Sequence, residues 1–348
     1  MTKQIPLVEA RGTHREVGQQ IGQACQIGIQ NTLAGLRDDL PAGVTWVGVL
    51  QQSARYLEFS RQVYPKYVEE LEGIAEGANA PFEEVFLTMC EELWEAAAWR
   101  GCTDMAARGR ATKDGSTLIA HTNDLPSRAE EHLVLLKVQA GDEPEFLGIS
   151  SGGVAISAGF NAASISLTGN QLDNNDIRPG VPRLLVVRAL LASRHMSEAM
   201  EHCLLPQRAS SYNNVLADAS GEVYSMEGSA TDCEPIYIED DILAHANHYV
   251  SPSMRKFEAD RNNIGNSVFR HNRAMRLLRE NYSQLTPELL RKLLGDHAGY
   301  PTSICKHGTE TVTVFSIVIQ IENLRAWIGR GRACETEYIE YQLDPYKE

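Results

Sequence analysis

The hydrophobic period of this chain changes at one point, and that change limits the folds open to it more than any other feature. Upstream of Gly101-Cys102-Thr103-Asp104, apolar residues recur at helical spacing; downstream they fall into short runs such as STLIAH and HLVLLKV, which read as strands. A first strand is expected within residues 4 to 10. Thr13 is placed to cap a helix starting near His14, with Val17, Ile21 and Ala24 on one face. From Val47 to Glu95 the pattern stays helical, with breaks expected near Pro65, Gly77 and Pro81.

After Cys102 the chain predicts strands at 117 to 122, 132 to 139, 145 to 150, 154 to 159 and 163 to 168, then helices at 182 to 193 and 196 to 204. A hairpin is expected at 212 to 218 and 222 to 227 around Ala219-Ser220-Gly221. Helices follow at 267 to 281 and 287 to 296, the second capped by Thr286 with Pro287 at its first position. Three strands close the chain, in TVTVFSIVIQI, AWIG and EYIEYQL. Strands, then helices, then strands again do not make the alternating pattern of a doubly wound parallel sheet. The expectation is an α+β chain: two sheets between layers of helix. Residues 1–101 form a helical leader, and 102–348 a single domain on which it packs.

Composition narrows the function. The net charge of -14, with no basic run, disfavours nucleic acid and anionic membrane surfaces as partners. No segment approaches the roughly 20 consecutive apolar residues of a membrane span, and no signal-peptide pattern opens the chain, so a cytoplasmic protein is expected. The seven cysteines have no CxxC spacing, so they signal neither a disulfide framework nor a zinc site. The chain is compatible with a homo-oligomer but contains no feature that requires one.

Cys102 follows Gly101 at the seam. A free cysteine is more often buried filler than nucleophile, but here another reading is open. If its thiol attacked the Gly101 carbonyl and the resulting ester were hydrolysed, Cys102 would carry both a thiol and a free α-amine. An α-amine has a reference pKa of about 7.7 to 8.0, low enough to act as a base near neutral pH. One residue would then supply both nucleophile and base.

Six blocks in order, GCTDMAA, DGSTLIAHTND, ASISLTGNQL, SSYNNVLADASGEVYSMEG, LAHANHY and SICKH, resemble the acyl-CoA:6-aminopenicillanate acyltransferase family of N-terminal nucleophile cysteine hydrolases. The resemblance extends to the leader with its GTHREVGQQIG start. It implies an αββα sandwich, self-cleavage before Cys102, and a cysteine amidohydrolase or acyltransferase acting on a small N-acyl amide, with water the favoured acceptor. No metal or organic cofactor is implied, although acyl-CoA could serve as co-substrate. The 1–101 leader would remain as a partner after cleavage.

The resemblance also assigns roles. Asp124 would orient the new α-amine, Asn247 would donate to the oxyanion, and Asn170 would line the pocket. Two of them have plainer alternatives: Asp124 a turn cap, Asn170 a loop residue accepting positive φ. Lys306 stands where the family usually has arginine; it is either a substrate contact or a surface lysine. Tyr212 and Asn213 could reach substrate or simply fill a strand pair, and His121 and His297 could be pocket wall or polar core. His245 and His248, three apart on an expected strand, should face opposite sides and so make a poor metal pair. The Asp173 to Asp176 run lacks EF-hand spacing and reads as a solvated loop.

Overall fold

The structure is a computed structural model describing residues 4–40, 43–94 and 101–347. Residues 95–100, including Glu95, Trp99 and Arg100 of the seam, lie outside the described residues.

The leader opens with strand β1 (Leu7–Gly12) and helices α1 (His14–Ala24), α2 (Gln26–Asp38), α3 (Trp46–Val63), α4 (Pro65–Ala78), α5 (Phe82–Met89) and α6 (Glu91–Trp94). Thr13 caps α1 in a full capping box with Glu16, as expected, and Pro65 opens α4. Strands β2 (Gly101–Gly109), β3 (Gly115–Leu125), β4 (Leu133–Ala140), β5 (Phe146–Ser151), β6 (Ala155–Asn161) and β7 (Ile165–Gln171) follow. Next come α7 (Arg183–Leu190), α8 (Met196–Cys203), β8 (Tyr212–Asp218), β9 (Val223–Gly228), β10 (Cys233–Tyr237) and β11 (Ile242–His245). The chain ends with α9 (Gly265–Glu280), α10 (Pro287–Leu294), β12 (Val312–Gln320), β13 (Arg325–Arg330) and β14 (Tyr338–Gln342).

The strands make two sheets. One has eight strands in the order β1-β4-β5-β6-β7-β8-β9-β10, the other six in the order β11-β2-β3-β12-β13-β14. Alternation along single strands shows how they stack. Leu135 and Leu147 of the larger sheet meet Phe315, Ile317 and Ile319 of the smaller one in a shared core. Leu136, Val138 and Phe146 point the other way, into the core formed with the leader helices, α7 and α8. Val318, with Leu118 and Ala120, packs beneath α9 and α10. The architecture is therefore helix, sheet, sheet, helix.

The leader is woven into this sandwich: β1 pairs in parallel with β4, Leu7 opposite Leu135. The break expected near Gly77 falls one residue later, where α4 ends at Ala78 with Asn79 as a left-handed cap. Gly77 itself serves packing. A Cβ added at Gly18 or Gly22 of α1 would stand 2.0 Å from the Glu70 carbonyl oxygen or 2.2 Å from that of Ile74. At Gly73 or Gly77 of α4, it would stand 2.2 Å from the Arg15 oxygen or 2.1 Å from the Gln19 oxygen. Both helices carry a glycine every fourth residue so that their backbones touch. Gly22→Ala is therefore expected to force the pair apart and to cost about 1–3 kcal/mol or more, read as a lowered urea midpoint with an unchanged m-value.

Candidate active site

Strand β2 begins at the seam and lies inside the smaller sheet between β11 and β3; β11 pairs with it from Asp104 to Ala107, and Cys102 pairs with β3 alone. The sequence reading listed no strand here. Residues 101 to 107 are all buried, Thr103 and Asp104 included, so the run has no alternation to detect.

In register, Gly101 lies opposite Asp124 and Cys102 opposite Asn123. The Asp124 carboxylate is fully buried. Its Oδ1 accepts a hydrogen bond from Thr313 Oγ1 at 2.7 Å, while Oδ2 has no hydrogen-bond partner. A side chain at position 101 would put its Cβ 2.9 Å from that Oδ2 and 3.5 Å from Lys306 Nζ. Glycine thus lets the carboxylate close against the Gly101–Cys102 bond, with the Lys306 ammonium alongside. Burial raises the Asp124 pKa, opposed by the charges of Arg270 and Lys306 and by the Thr313 hydrogen bond.

Both ends of the Cys102 peptide unit are held. Its N–H donates to Asn247 Oδ1 at 2.9 Å, and its C=O accepts from Arg270 Nη1. Arg270, on α9, also donates to Asn247 Oδ1 at 2.7 Å, to Thr103 Oγ1 at 2.8 Å and to Asn266 Oδ1 at 2.9 Å. Two donors on Oδ1 fix the orientation of the Asn247 amide, and its Nδ2 donates to the Gln171 carbonyl at 3.1 Å. In the intact chain Asn247 therefore meets Cys102 through its oxygen. The thiol is pushed up to about 12 by burial and by the carboxylates of Asp124 and Asp104, against a hydrogen bond from the Gln171 backbone and the charge of Arg270.

Sequence reasoning missed Arg270. The helix pattern around it was legible, but among the arginines of VFRHNRAMRLLRE nothing in the sequence marks Arg270 as the buried one.

Other expected residues lie near this centre with different partners. Asn170 sits in a buried polar layer between the sheets, its Oδ1 3.0 Å from His245 Nδ1 and accepting from Asn213 Nδ2 at 3.2 Å. His245 Nε2 lies 2.7 Å from Glu227, and Asn213 Oδ1 accepts from Ser225 Oγ at 2.7 Å. His121 Nδ1 is 2.7 Å from Asp104 Oδ1, a fully buried pair two residues along β2 from Cys102. Tyr212 pairs across the sheet with Gln171, and its hydroxyl donates to Glu91 of the leader while Arg183 stacks 4.4 Å over its ring.

Three expectations change. His245 and His248 do not face opposite sides; β11 ends at His245, and the two rings stack at 6.4 Å. They still form no ligand pair, since both His245 nitrogens are engaged and His248 Nδ1 lies 2.7 Å from Ser267 Oγ. Asp176 is not simply solvated, because its carboxylate caps the 229–232 turn, accepting from Ser229 Oγ, Ala230 N and Thr231 N. His297 is neither core nor pocket wall but exposed, beside Cys305, His307 and Cys334.

Among the described residues no helix is long and apolar enough to cross a membrane. Residues 110–333 match the family model described as acyl-coenzyme A:6-aminopenicillanic acid acyl-transferase. The chain is 28% identical over 340 residues to the 40 kDa form of acyl-coenzyme A:6-aminopenicillanic-acid-acyltransferase of Emericella nidulans, covering 93% of this chain and 92% of that protein. It is 25% identical over 228 residues to the beta-alanyl-dopamine/carcinine hydrolase of Drosophila melanogaster, covering 56% of each. Among solved structures, it is similar to a mutant conjugated bile acid hydrolase from Clostridium perfringens, with a TM-score of 0.43, 11% identity, and 70% of this chain and 97% of that one covered. The penicillin V acylase from Agrobacterium tumefaciens gives a TM-score of 0.42 at 12% identity, with 70% and 86% covered. The chain belongs to the acyl-coenzyme A:6-aminopenicillanic acid acyl-transferase family and is an enzyme of the N-terminal nucleophile hydrolase and acyltransferase type.

Proposed function

We propose that the chain cleaves itself between Gly101 and Cys102 and then hydrolyses the amide of a small N-acyl compound through a thioester on Cys102. The observation that carries this reading is the set of groups around one peptide bond: the free Asp124 oxygen faces Gly101, Asn247 accepts from the N–H of the Gly101–Cys102 bond, and Arg270 holds the carbonyl of the bond that follows.

In processing, the Cys102 sulfur adds to the Gly101 carbonyl, the carbon–nitrogen bond breaks, and the proton lost by the thiol ends on the released amine. Asp124, its pKa raised by burial, is the group beside that bond suited to carry the proton. Water then frees residues 1–101 as a carboxylic acid and restores the thiol.

In turnover the same sulfur attacks the substrate carbonyl. The Cys102 α-amine takes the thiol proton and delivers it to the leaving amine, and Asn247, already bonded to that nitrogen, keeps it aimed. Water releases the acid. Asn247 Oδ1 keeps its bonds to the Cys102 nitrogen and to Arg270, and the second N–H of Nδ2, beside the one given to the Gln171 carbonyl, is the donor offered to the oxyanion. His245 is a poor rival base, since both of its ring nitrogens have partners.

Denaturing electrophoresis and intact mass of purified protein test the proposal. Fragments 1–101 and 102–348 are expected; an intact chain that turns over acyl amides would overturn it. Release of free acid under saturating amine identifies the hydrolase, and amide formation from acyl-CoA would identify the acyltransferase instead. Asn247→Ala is expected to slow single-turnover acylation by about 10² to 10³ with little change in substrate affinity.

A further inference from the structure

The fold brings Cys334, from beyond β13, beside His297, Cys305 and His307 of the segment between α10 and β12. His297 follows α10, Cys305 and His307 flank Lys306 before β12, and Cys334 sits in the turn after β13. One ligand atom from each lies within 4.8 Å of all the others. His307 Nε2 is 3.5 Å from Cys305 Sγ and 3.3 Å from Cys334 Sγ. In a tetrahedron with zinc–sulfur bonds of about 2.3 Å and zinc–nitrogen bonds of about 2.0 Å, ligand atoms stand about 3.3 to 3.8 Å apart.

The surroundings suit a fixed site. The Cys305 N–H donates to the Asp296 carbonyl at 3.1 Å, and the His307 N–H donates to that of Pro301 at 2.8 Å. Tyr300 lies against both His297 and His307, with ring centroids 6.1 Å and 5.4 Å away. Gly295 lets the Cys334 turn approach: a Cβ there would be 3.4 Å from Cys334 Cα. Cys305 is buried while His297 and Cys334 are exposed, which gives the pocket a floor and an entrance.

We propose that His297, Cys305, His307 and Cys334 bind one zinc ion in a closed, structural site. Two thiolates and two imidazoles are a donor set that selects zinc among common divalent ions, and four protein ligands leave no open position for a substrate. The ion ties together three loops that no strand pairing joins. It also fixes the backbone on both sides of Lys306, whose N–H donates to Thr313 Oγ1, the hydroxyl that donates to Asp124. The clamp thus stands just behind the candidate active site without taking part in its chemistry, and it does not depend on self-cleavage.

Elemental analysis of full-length protein, purified under reducing conditions without chelator, tests the site. One zinc per chain is expected, falling at least tenfold in Cys334→Ser and in His297→Ala, and unchanged in Cys233→Ser, whose thiol lies elsewhere. Cobalt chloride added to metal-free wild-type protein should give a thiolate-to-cobalt charge-transfer band and the intense visible bands of tetrahedral cobalt, a readout that remains should a variant fail to fold. A Cys305–Cys334 disulfide in the reduced-purified protein, zinc retained by both variants, or cobalt bands of octahedral oxygen ligation would each overturn the proposal.

Discussion

Cys102→Ala is expected to remain a single chain of 348 residues and to lose turnover of acyl amides by about 10⁴-fold or more, as removal of a covalent nucleophile does. Both losses follow from one atom. In the proposed reactions the sulfur would break the Gly101–Cys102 bond in processing and the acyl amide bond in turnover, so neither reaction would have a substitute. The fold should survive, since Cys102 sits at the start of a strand fixed on both sides by β11 and β3, and alanine retains that pairing. Cys102→Ser separates the two functions. A hydroxyl is the weaker nucleophile, so slow cleavage with little turnover is expected, followed by the accumulation of fragments over days on denaturing gels. Equal turnover by the wild type and Cys102→Ala would rule out the thioester.

If the chain is cleaved as proposed, the state of the thiol beforehand gives a reason for processing to precede turnover. In the intact chain it is pushed up to about 12 by burial and the two nearby carboxylates, so it is protonated at neutral pH. Opening the chain places an amine on the same residue, next to the sulfur. A base then exists where the uncleaved molecule had only an amide.

The layers of the fold were legible because most strands are buried on one period and bounded by turns. The segments expected at 117 to 122, 132 to 139 and 145 to 150 became β3, β4 and β5 with small changes at their ends. Strand β2 was not legible, since its two buried faces erase the alternation that marks a strand. The break near Gly77 was legible, since α4 ends at Ala78, but the packing role of that glycine was not, because it is set by a partner helix distant in sequence. The site divides in the same way. Cys102, Asp124 and Asn247 stood out through ordered motifs, and the fold brings the three together. Arg270 and Cys334 reach their partners only through tertiary structure, and without Cys334 the His297, Cys305 and His307 spacing matches none of the metal patterns sought in the sequence.

A second large effect is expected where the leader meets the sandwich. Glu70 of α4 is buried and accepts two hydrogen bonds from Arg188 of α7, at 2.8 Å and 2.7 Å, with His14 Nδ1 3.0 Å from its other side. Arg188 also pairs with Glu143 at 3.1 Å and stacks over Tyr67 and Phe146, and Tyr67 donates to Glu143 at 3.0 Å. Glu70→Ala leaves Arg188 with one carboxylate in place of two inside this core. Losing one member of a buried charge network costs about 3–5 kcal/mol, so the urea midpoint should fall by about 1 M. Burial alone would raise the Glu70 pKa, but Arg188 and His14 overcome it and hold the carboxyl down at about 2. A depressed carboxylate contributes stability that is complete above the ordinary carboxylate range and is lost as pH falls towards its folded value. Wild-type stability should therefore decline between about pH 5 and pH 2, and the Glu70→Ala profile should be flatter over that window. A parallel profile would mean that another carboxylate sets the acid limit. The same network bears on processing: with β1 in the larger sheet and Glu70 bound to Arg188, cleavage before Cys102 would yield two chains that stay together. Wild-type fragments should then co-elute on a sizing column, whereas those of Glu70→Ala should separate at a lower urea concentration.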